Sequence, residues 1–384
     1  MSSPRQLSVI VPVRDASATL ARALTAILAS ELRRDDYELI VVDDGSSDGS
    51  PQLAARFADT VVRLSGRRCG AAYARNRGAE LAQGEVLAFV DCDAMVRPDT
   101  LPRMLKILSD HPGLDALSAT HDQSAAGHNL VSQYWNLLLH FGEQGQTGTS
   151  GDVASPCALI RRNAFLSAGM YDEWRFATAQ LEGIELGKRL EDSGSDVLSS
   201  RELAIVALRE WNLRSLCREV WDRSVLLARS LGYQRTRVAV PSEVVFTLSR
   251  TLATFFALLC AVAFSAAFSV AFLPRPSVLA KVAIVLLGAV ALNLPAYRFF
   301  VKARGINFAI AAAPLHLLMQ AISGLGLCVG WVLRDVVGDR APDAAIQAYA
   351  ELGVDTWPPV PRAPGGWSAL TSRPSGASPP ASSP

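Results

Sequence analysis

The sequence predicts an α/β domain built on a doubly wound, mostly parallel sheet, followed by a helical region that crosses a membrane. Three observations carry this reading. Short apolar runs alternate with amphipathic stretches through roughly the first 110 residues, the pattern of a parallel sheet with covering helices. Two of those runs end in acidic clusters: Leu39-Ile40-Val41-Val42 leads into Asp43-Asp44-Gly45-Ser46, and Val86 to Val90 leads into Asp91-Cys92-Asp93. Three later stretches, Thr251 to Leu273, Val278 to Tyr297 and Ile306 to Leu333, are long and almost free of charge.

Leu7 to Val11 is the first buried strand, ending at Pro12-Val13-Arg14-Asp15. Leu20, Leu24, Ile27 and Leu28 then share one helix face. Glu38 to Val42 is the second strand. Asp48 or Ser50 is placed to cap the next helix, with Pro51 in its first turn. Val61 to Leu64 is a third strand. Ala71 to Ala82 is helical, with Gly84 in the C-cap role. Val86 to Val90 is the fourth strand, and Pro98 opens a helix through Leu108. Between Leu114 and Leu208 the pattern is less regular: a Gly/Thr/Ser loop over Gly142 to Gly151, a short strand at Ala158 to Ile160, a helical turn over Asn163 to Gly169 and a helix over Leu181 to Leu190.

From Leu208 to Leu231, Leu213, Leu216, Val220 and Leu227 interleave with Arg209, Arg214, Arg218, Arg223 and Arg229, a basic amphipathic helix suited either to an anionic membrane surface or to half-burial in a protein. The three apolar stretches each reach the roughly 20 residues that a bilayer core requires. Arg235, Arg237 and Arg250 precede the first, and Arg298, Lys302 and Arg304 fill the loop before the third. The positive-inside rule places both regions, and the domain over residues 1–240, on the cytoplasmic side of an inner (plasma) membrane crossed by a multi-pass region over 243–334. Gly326 and Gly330 form a small-residue step on the third stretch. Residues 355–384 are Pro- and Ser-rich and cannot bury a core, which predicts disorder.

A net charge of +1 gives no bias toward nucleic acid. The six cysteines are scattered, with no CxxC and no metal-finger spacing, which suits reduced thiols. Met1 to Gln6 is polar and reads as no signal peptide. No GxGxxG follows a strand, which argues against a dinucleotide oxidoreductase. Pro12-Val13-Arg14-Asp15 is not the phosphate loop of a nucleotidyltransferase. The apolar stretches hold almost no ionisable residues at their middles, unlike a transporter; His316 reads as a packing group.

The two acidic stations carry the chemistry. Carboxylates at the carboxyl ends of parallel strands sit where open α/β sheets bind ligands. Asp91 and Asp93, spaced i, i+2, point the same way on extended backbone and suit one divalent cation bound with a nucleotide diphosphate.

Val9-Ile10-Val11-Pro12, Val42-Asp43-Asp44-Gly45-Ser46-Ser47-Asp48, Ala74-Arg75-Asn76-Arg77-Gly78, Gly84-Glu85 and Asp91-Cys92-Asp93 follow one another as they do in family-2 glycosyltransferases. The chain resembles a bacterial membrane-anchored member of that family over roughly Leu7 to Leu231. The resemblance implies a GT-A fold, a nucleotide-diphosphate sugar donor and transfer of a hexose with inversion. It puts the nucleobase, uracil or guanine, on Asp44, with Pro12 and Asp15 beside it and Arg75 near the donor. It makes Asp93 the direct ligand of Mg²⁺ or Mn²⁺ and Asp91 a ribose or outer ligand.

The family's base is an aspartate in a Glu-Asp pair opening a helix. The matching segment here is Leu181-Glu182-Gly183-Ile184-Glu185, with glycine in the aspartate's place. Glu182 serves as general base, Glu185 reaches in, or the chain is a catalytically impaired nucleotide-binding scaffold; Asp172-Glu173 could also contribute. The Gln-x-x-Arg-Trp motif of processive synthases is missing, and Leu208-Arg209-Glu210-Trp211 is the nearest segment. The expected acceptor is lipid-linked, of the polyprenyl type, and glycosylated non-processively at the membrane.

Overall fold

The computed structural model describes residues 5–64, 69–144, 148–149, 153, 155–173, 181–230, 251–252, 254–256, 283 and 287–337. Nine strands form the sheet: β1 (Leu7–Val13), β2 (Tyr37–Asp43), β3 (Thr60–Arg63), β4 (Val86–Val90), β5 (Ala94–Met95), β6 (Leu114–His121), β7 (Gly148–Thr149), β8 (Cys157–Arg161) and β9 (Asp196–Ala207). The order is β3-β2-β1-β4-β8-β6-β9-β5, with β7 paired to β9. β1, β2, β3 and β4 run parallel, so the ends of β2 and β4 bring both acidic stations to one edge. β8 enters antiparallel between β4 and β6, and β9 returns parallel to β6.

β1, β2 and β4 are buried along their whole lengths, as near-continuous apolar runs in a two-sided sheet must be. Alternation sends successive residues to opposite faces. Val9, Val11, Leu39 and Val41 pack with Leu20, Leu24 and Ile27 of α1 (Ser17–Leu28), and with Leu101, Met104 and Leu108 of α4 (Thr100–Asp110). Ile10, Ile40 and Val42 face α3 (Ala71–Leu81), α6 (Arg162–Ser167) and α7 (Glu182–Asp192). Gly78 lets α3 lie directly on the sheet, because a Cβ there would collide with the Ile10 side chain.

Several local expectations are corrected. The short α2 (Ser50–Ala54) has Gly49, not Asp48 or Ser50, as N-cap; the Asp48 carboxylate accepts the first amides of two helices, Ser50 of α2 and Ser17 of α1. α3 ends at Leu81 with Ala82 as its C-cap, so Gly84 does not cap it. Gly84 is needed for another reason: a Cβ there would stand 2.6 Å from the Ser8 amide nitrogen on β1. α4 starts at Thr100 after Asp99, because Pro98 lies in the preceding turn. Gly142 is helical, since α5 (Leu130–Glu143) runs through it.

α8 (Leu213–Ser230) starts five residues later than expected, and Leu216 and Val220 of its apolar stripe are buried against protein while Leu213 is exposed. Leu216 and Val220 join Tyr134, Trp135 and Leu137 of α5 in a third core. That core is completed by Tyr297 and Phe300 of α9 (Leu294–Arg304) and by Ala309, Ala312, Leu315 and Met319 of α10 (Ile306–Val337). Gly326 and Gly330 form the seam with α8: Cβ atoms there would stand 2.9 Å from Ser224 Cβ and 2.8 Å from Ala228 Cβ. The Ser224 and Ser323 hydroxyls meet across the seam at 2.8 Å. His316 is a packing group in this core, hydrogen-bonded to the Tyr134 hydroxyl at 2.9 Å and to Asn293 Oδ1 at 3.2 Å.

Ile306–Arg334 is long and apolar enough to cross a membrane, and it is one such helix among the described residues. The expected span Thr251 to Leu273 lies largely outside the described residues, and the 355–384 tail lies wholly outside them. Of Val278 to Tyr297, residues 283 and 287–297 are described; they are helical with a turn at Asn293, and the expected loop holding Arg298, Lys302 and Arg304 is the helix α9. Multi-pass topology therefore stays an expectation.

Candidate functional site

Asp44 lies just past β2 and is buried. Its Oδ1 accepts the Cys69 amide at 2.8 Å and its Oδ2 the Gly70 amide at 2.9 Å. These two amides lead into α3, and Gly70 takes φ +95°, a conformation that favours glycine. The Asp44 carboxylate thus ties the second strand to the start of the helix that carries Arg75. Arg14 donates to the Asp44 carbonyl. Asp15 is exposed at the mouth of the same edge, with φ +46°. Its carboxylate accepts the Ser47 amide at 2.7 Å, and this bond first of all holds its pKa below the ordinary value. Pro12 is buried within β1, opposite Val42.

Arg75 occupies the centre of the site. Its buried guanidinium donates from Nη1 to Glu182 Oε1 at 2.5 Å and from Nη2 to Asp91 Oδ1 at 2.6 Å. It also lies 5.6 Å from the Tyr171 ring centroid. Burial opposes its charge, but Asp91 and Glu182 outweigh burial and raise its pKa further. Glu182 opens α7 and is buried. Burial pushes its pKa up against the pull of Arg75. Its second oxygen, Oε2, is buried with no hydrogen-bond partner among the described residues.

Asn76, next to Arg75 on α3, grips the chain on the other side of this pocket. Its Nδ2 donates to the Tyr171 carbonyl at 2.9 Å and to Glu173 Oε2 at 2.7 Å, and its Oδ1 accepts the Tyr171 amide at 3.1 Å. Burial raises the Glu173 pKa to about 7, against the pull of Arg77 and Asn76. Glu185 lies one turn beyond Glu182 but is occupied: Arg189 takes both its oxygens at 2.7 Å. Arg189 also donates to the Ala168 and Met170 carbonyls, so the pair staples α7 to the end of α6.

Asp93 is half-buried beyond β4, and its carbonyl accepts the Leu208 amide at 2.8 Å. Burial and the neighbouring Asp91 charge raise its pKa to about 6, with Arg209 and His121 pulling the other way. Two carboxylates that repel each other beside a strand end are a hard-oxygen donor pair. Among the described residues no group of three His, Cys, Asp or Glu side chains could close a cage around a metal. The pair fits Mg²⁺ or Mn²⁺, which bind through one or two carboxylates with substrate phosphates and water completing the shell.

The structure therefore brings Arg75, Asp91 and Glu182 into one contact set and leaves Glu185 in another. Sequence reading missed Asn76, Tyr171 and Arg209. The Ala-Arg-Asn-Arg-Gly run pointed at α3, but neither spacing nor periodicity reveals that its second and third residues hold segments 95 or more positions downstream.

Residues 8–167 match the family model described as Glycosyl transferase family 2. They are a family 2 glycosyltransferase domain. The domain is 31% identical over 107 residues to the glycosyltransferase AglE of Haloferax volcanii, covering 27% of this chain and 35% of that protein. Over 166 residues it is 25% identical to the undecaprenyl-phosphate 4-deoxy-4-formamido-L-arabinose transferase of Yersinia enterocolitica, covering 41% of this chain and 50% of that enzyme. The chain thus spans half or less of the length of these curated relatives. The mannosyltransferase PcManGT from Pyrobaculum calidifontis, solved with GDP-Man and Mn²⁺, superposes with a TM-score of 0.52 at 20% identity, over 86% of this chain and 89% of that one. The likeness shows the GT-A fold for the glycosyltransferase domain.

Proposed function

We propose that this protein is an inverting, non-processive glycosyltransferase that moves a sugar from a nucleotide-diphosphate donor to a lipid-linked or membrane-associated acceptor. Asp44 would hold the nucleobase, with Pro12 and Asp15 forming the near wall. Asp93 and Asp91 would hold Mg²⁺ or Mn²⁺ against the diphosphate; when bound, the ion neutralises the charge that builds on the departing nucleotide. Arg209, which acts electrostatically on Asp93, supplies a fixed cation on the same side. Arg75 takes a role different from a direct donor ligand: it links Asp91 of the donor station to Glu182.

The observation that carries the proposal is the orphaned Oε2 of Glu182. A buried carboxylate oxygen without a partner is costly unless something fills it in use. Arg75 fixes Oε1, so Oε2 is the atom presented to an acceptor hydroxyl. As the acceptor oxygen forms its bond to the anomeric carbon, its proton passes to Oε2, and the anomeric C–O bond breaks with its electrons leaving on the diphosphate. The raised pKa of Glu182 suits a group that must accept a proton. Glycine at 183 leaves Glu182 as the acid of the motif free to do so.

Acceptor class and location rest on α10 and on the Yersinia relative, which is an undecaprenyl-phosphate transferase. In this reading the transferase domain lies on the cytoplasmic side of the inner membrane. A catalytically impaired nucleotide-binding scaffold is the second reading, favoured by Gly183. Screening UDP- and GDP-sugars with Mn²⁺ and Mg²⁺, scored for binding and for nucleotide release, separates the two. Glu182→Gln is expected to lower turnover by about 10²- to 10⁴-fold while nucleotide binding persists. Unchanged turnover in that variant removes Glu182 as the base.

A further inference from the structure

The exposed side of α8 carries a feature that the donor site does not use. Leu216, Val220, Ser224 and Ala228 turn inward at four-residue spacing, which leaves Arg214 and Arg218 exposed one turn apart on the outer stripe. Arg209 is exposed just before the helix, with its guanidinium 3.9 Å from the Trp211 ring centroid. Among the described residues no carboxylate stands within ion-pair distance of any of these three arginines. The nearby Glu219 is taken by Arg223 at 2.6 Å. Asp222 follows Arg218 one turn further along the stripe, away from the site.

The placement runs against local helix electrostatics twice. Arg214 lies in the first turn of α8, where the helix dipole disfavours cations, and that turn contains no acid. Arg214 and Arg218 are like charges at i, i+4, which repel. Such departures from local consistency concentrate where a chain binds something. The stripe also has a fixed position relative to the chemistry. The Leu208 amide is bonded to the Asp93 carbonyl, and the Trp211 amide is bonded to Ser132 Oγ on α5 at 2.7 Å. Arg214 is six residues from Leu208, so it lies within about 20 Å of the Asp93 edge. Leu213, 48% exposed between Arg209 and Arg214, adds an apolar flank. Behind α8 runs α10, whose outer face exposes Ile306, Ile310, Leu318, Leu325, Val332 and Val336.

We infer that Arg214 and Arg218, with Arg209 at their head, bind the phosphate of a lipid-borne acceptor. This rests on the glycosyltransferase reading above and names the acceptor's anchoring group. Guanidinium forks match phosphate oxygens two at a time, so unpaired arginines in a row suit a phosphate better than a single diffuse charge. The apolar flank and the α10 stripe take the lipid chain, while the phosphate stays at the level of α8 and the hydroxyl to be glycosylated extends toward Glu182.

The test uses the full chain in a neutral detergent, with undecaprenyl phosphate as the probe. Undecaprenol, phosphatidylglycerol and inorganic phosphate are the comparison arms, and nucleotide-diphosphate binding is measured in parallel. The expected result is that wild-type protein binds undecaprenyl phosphate at least about tenfold more tightly than undecaprenol or phosphatidylglycerol. The exposed double variant Arg214→Gln/Arg218→Gln loses that margin, with nucleotide binding and thermal midpoint unchanged. Equal binding by the variant overturns the inference. So does wild-type binding of phosphatidylglycerol or inorganic phosphate as tight as that of undecaprenyl phosphate, which would make the stripe a generic anion surface. Loss of nucleotide binding in the wild type with the phosphate margin intact would instead sink the donor reading.

Discussion

Replacing Arg75 with methionine keeps the length of the side chain and deletes its charge. In the native site one guanidinium serves two carboxylates, at 2.5 Å from Glu182 and 2.6 Å from Asp91, so the cluster has a net charge of −1. The variant leaves two carboxylates with their cation removed, one of them buried. Breaking a buried ion pair from one side costs about 3–5 kcal/mol, because the remaining charge loses its compensation. For a domain of this size that corresponds to a fall in thermal midpoint of roughly 6–20 °C. The loss should shrink as pH falls, since burial has already raised the Glu182 pKa and a protonated Glu182 is cheaper to bury. Adding Glu182→Gln to Arg75→Met should restore part of the stability, giving a coupling of about 1–3 kcal/mol in a double-mutant cycle. Thermal and urea unfolding of the four proteins at pH 7.5 and pH 5 would measure this. A midpoint within about 2 °C of wild type for Arg75→Met, or strictly additive effects, would refute the coupling of Arg75 to Glu182 and Asp91.

Three further outcomes follow from the same geometry. Burial raises the Glu173 pKa from 4.5 to about 7, so the native state binds the extra proton in that window and stability falls as pH rises through it, by about 3 kcal/mol in all; Glu173→Gln should flatten that slope in urea titrations from pH 4.5 to 8. Asp93, with its pKa raised to about 6, is protonated below that pH, so calorimetric binding of Mn²⁺ with UDP should weaken as pH drops from 7 to 5 and should vanish in Asp93→Asn. Gly330→Leu would drive a side chain into the Val225 carbonyl and Ala228, costing about 1–3 kcal/mol and splitting the unfolding of α10 from that of the domain, whereas a leucine at exposed Val336 should be silent.

Much of the half of the sheet that carries the acidic stations was legible because it is local. β1, β2 and β4 are mostly apolar, with Ser8 and Glu38 the polar exceptions ahead of the stations, and the stations begin at Asp43, the last residue of β2, and at Asp91, directly after β4. The half built from later strands and helices was not, for identifiable reasons. β9 starts polar, carries exposed Arg201 and Glu202 in its middle, and is irregular against β6, so no clean alternation marks its twelve residues. α5 is apolar on several sides, with Tyr134, Trp135 and Leu137 buried together, because it is enclosed by later helices that no local window contains. Arg75 and Glu182 stand 107 positions apart, and only the folded sheet shows that they meet. The basic amphipathic pattern of α8 was read correctly as two-faced, but a sequence does not say whether lipid or protein covers the apolar face.

The seam between α8 and α10 has a consequence for how the chain is made. Ser224 and Ala228 are covered by glycines at 326 and 330, about a hundred residues later in synthesis. At some 5–20 residues per second, the ribosome leaves that stripe of α8 uncovered for roughly 5–20 seconds after the glycosyltransferase domain has emerged. During that interval the nascent protein carries a sticky groove with no occupant, at the moment when the next segments leaving the ribosome are themselves strongly apolar. Once α10 arrives, its glycines are spent inside the chain and are no longer available to zip two copies together. The same small residues that in another helix would advertise for a partner here mark the completion of one molecule.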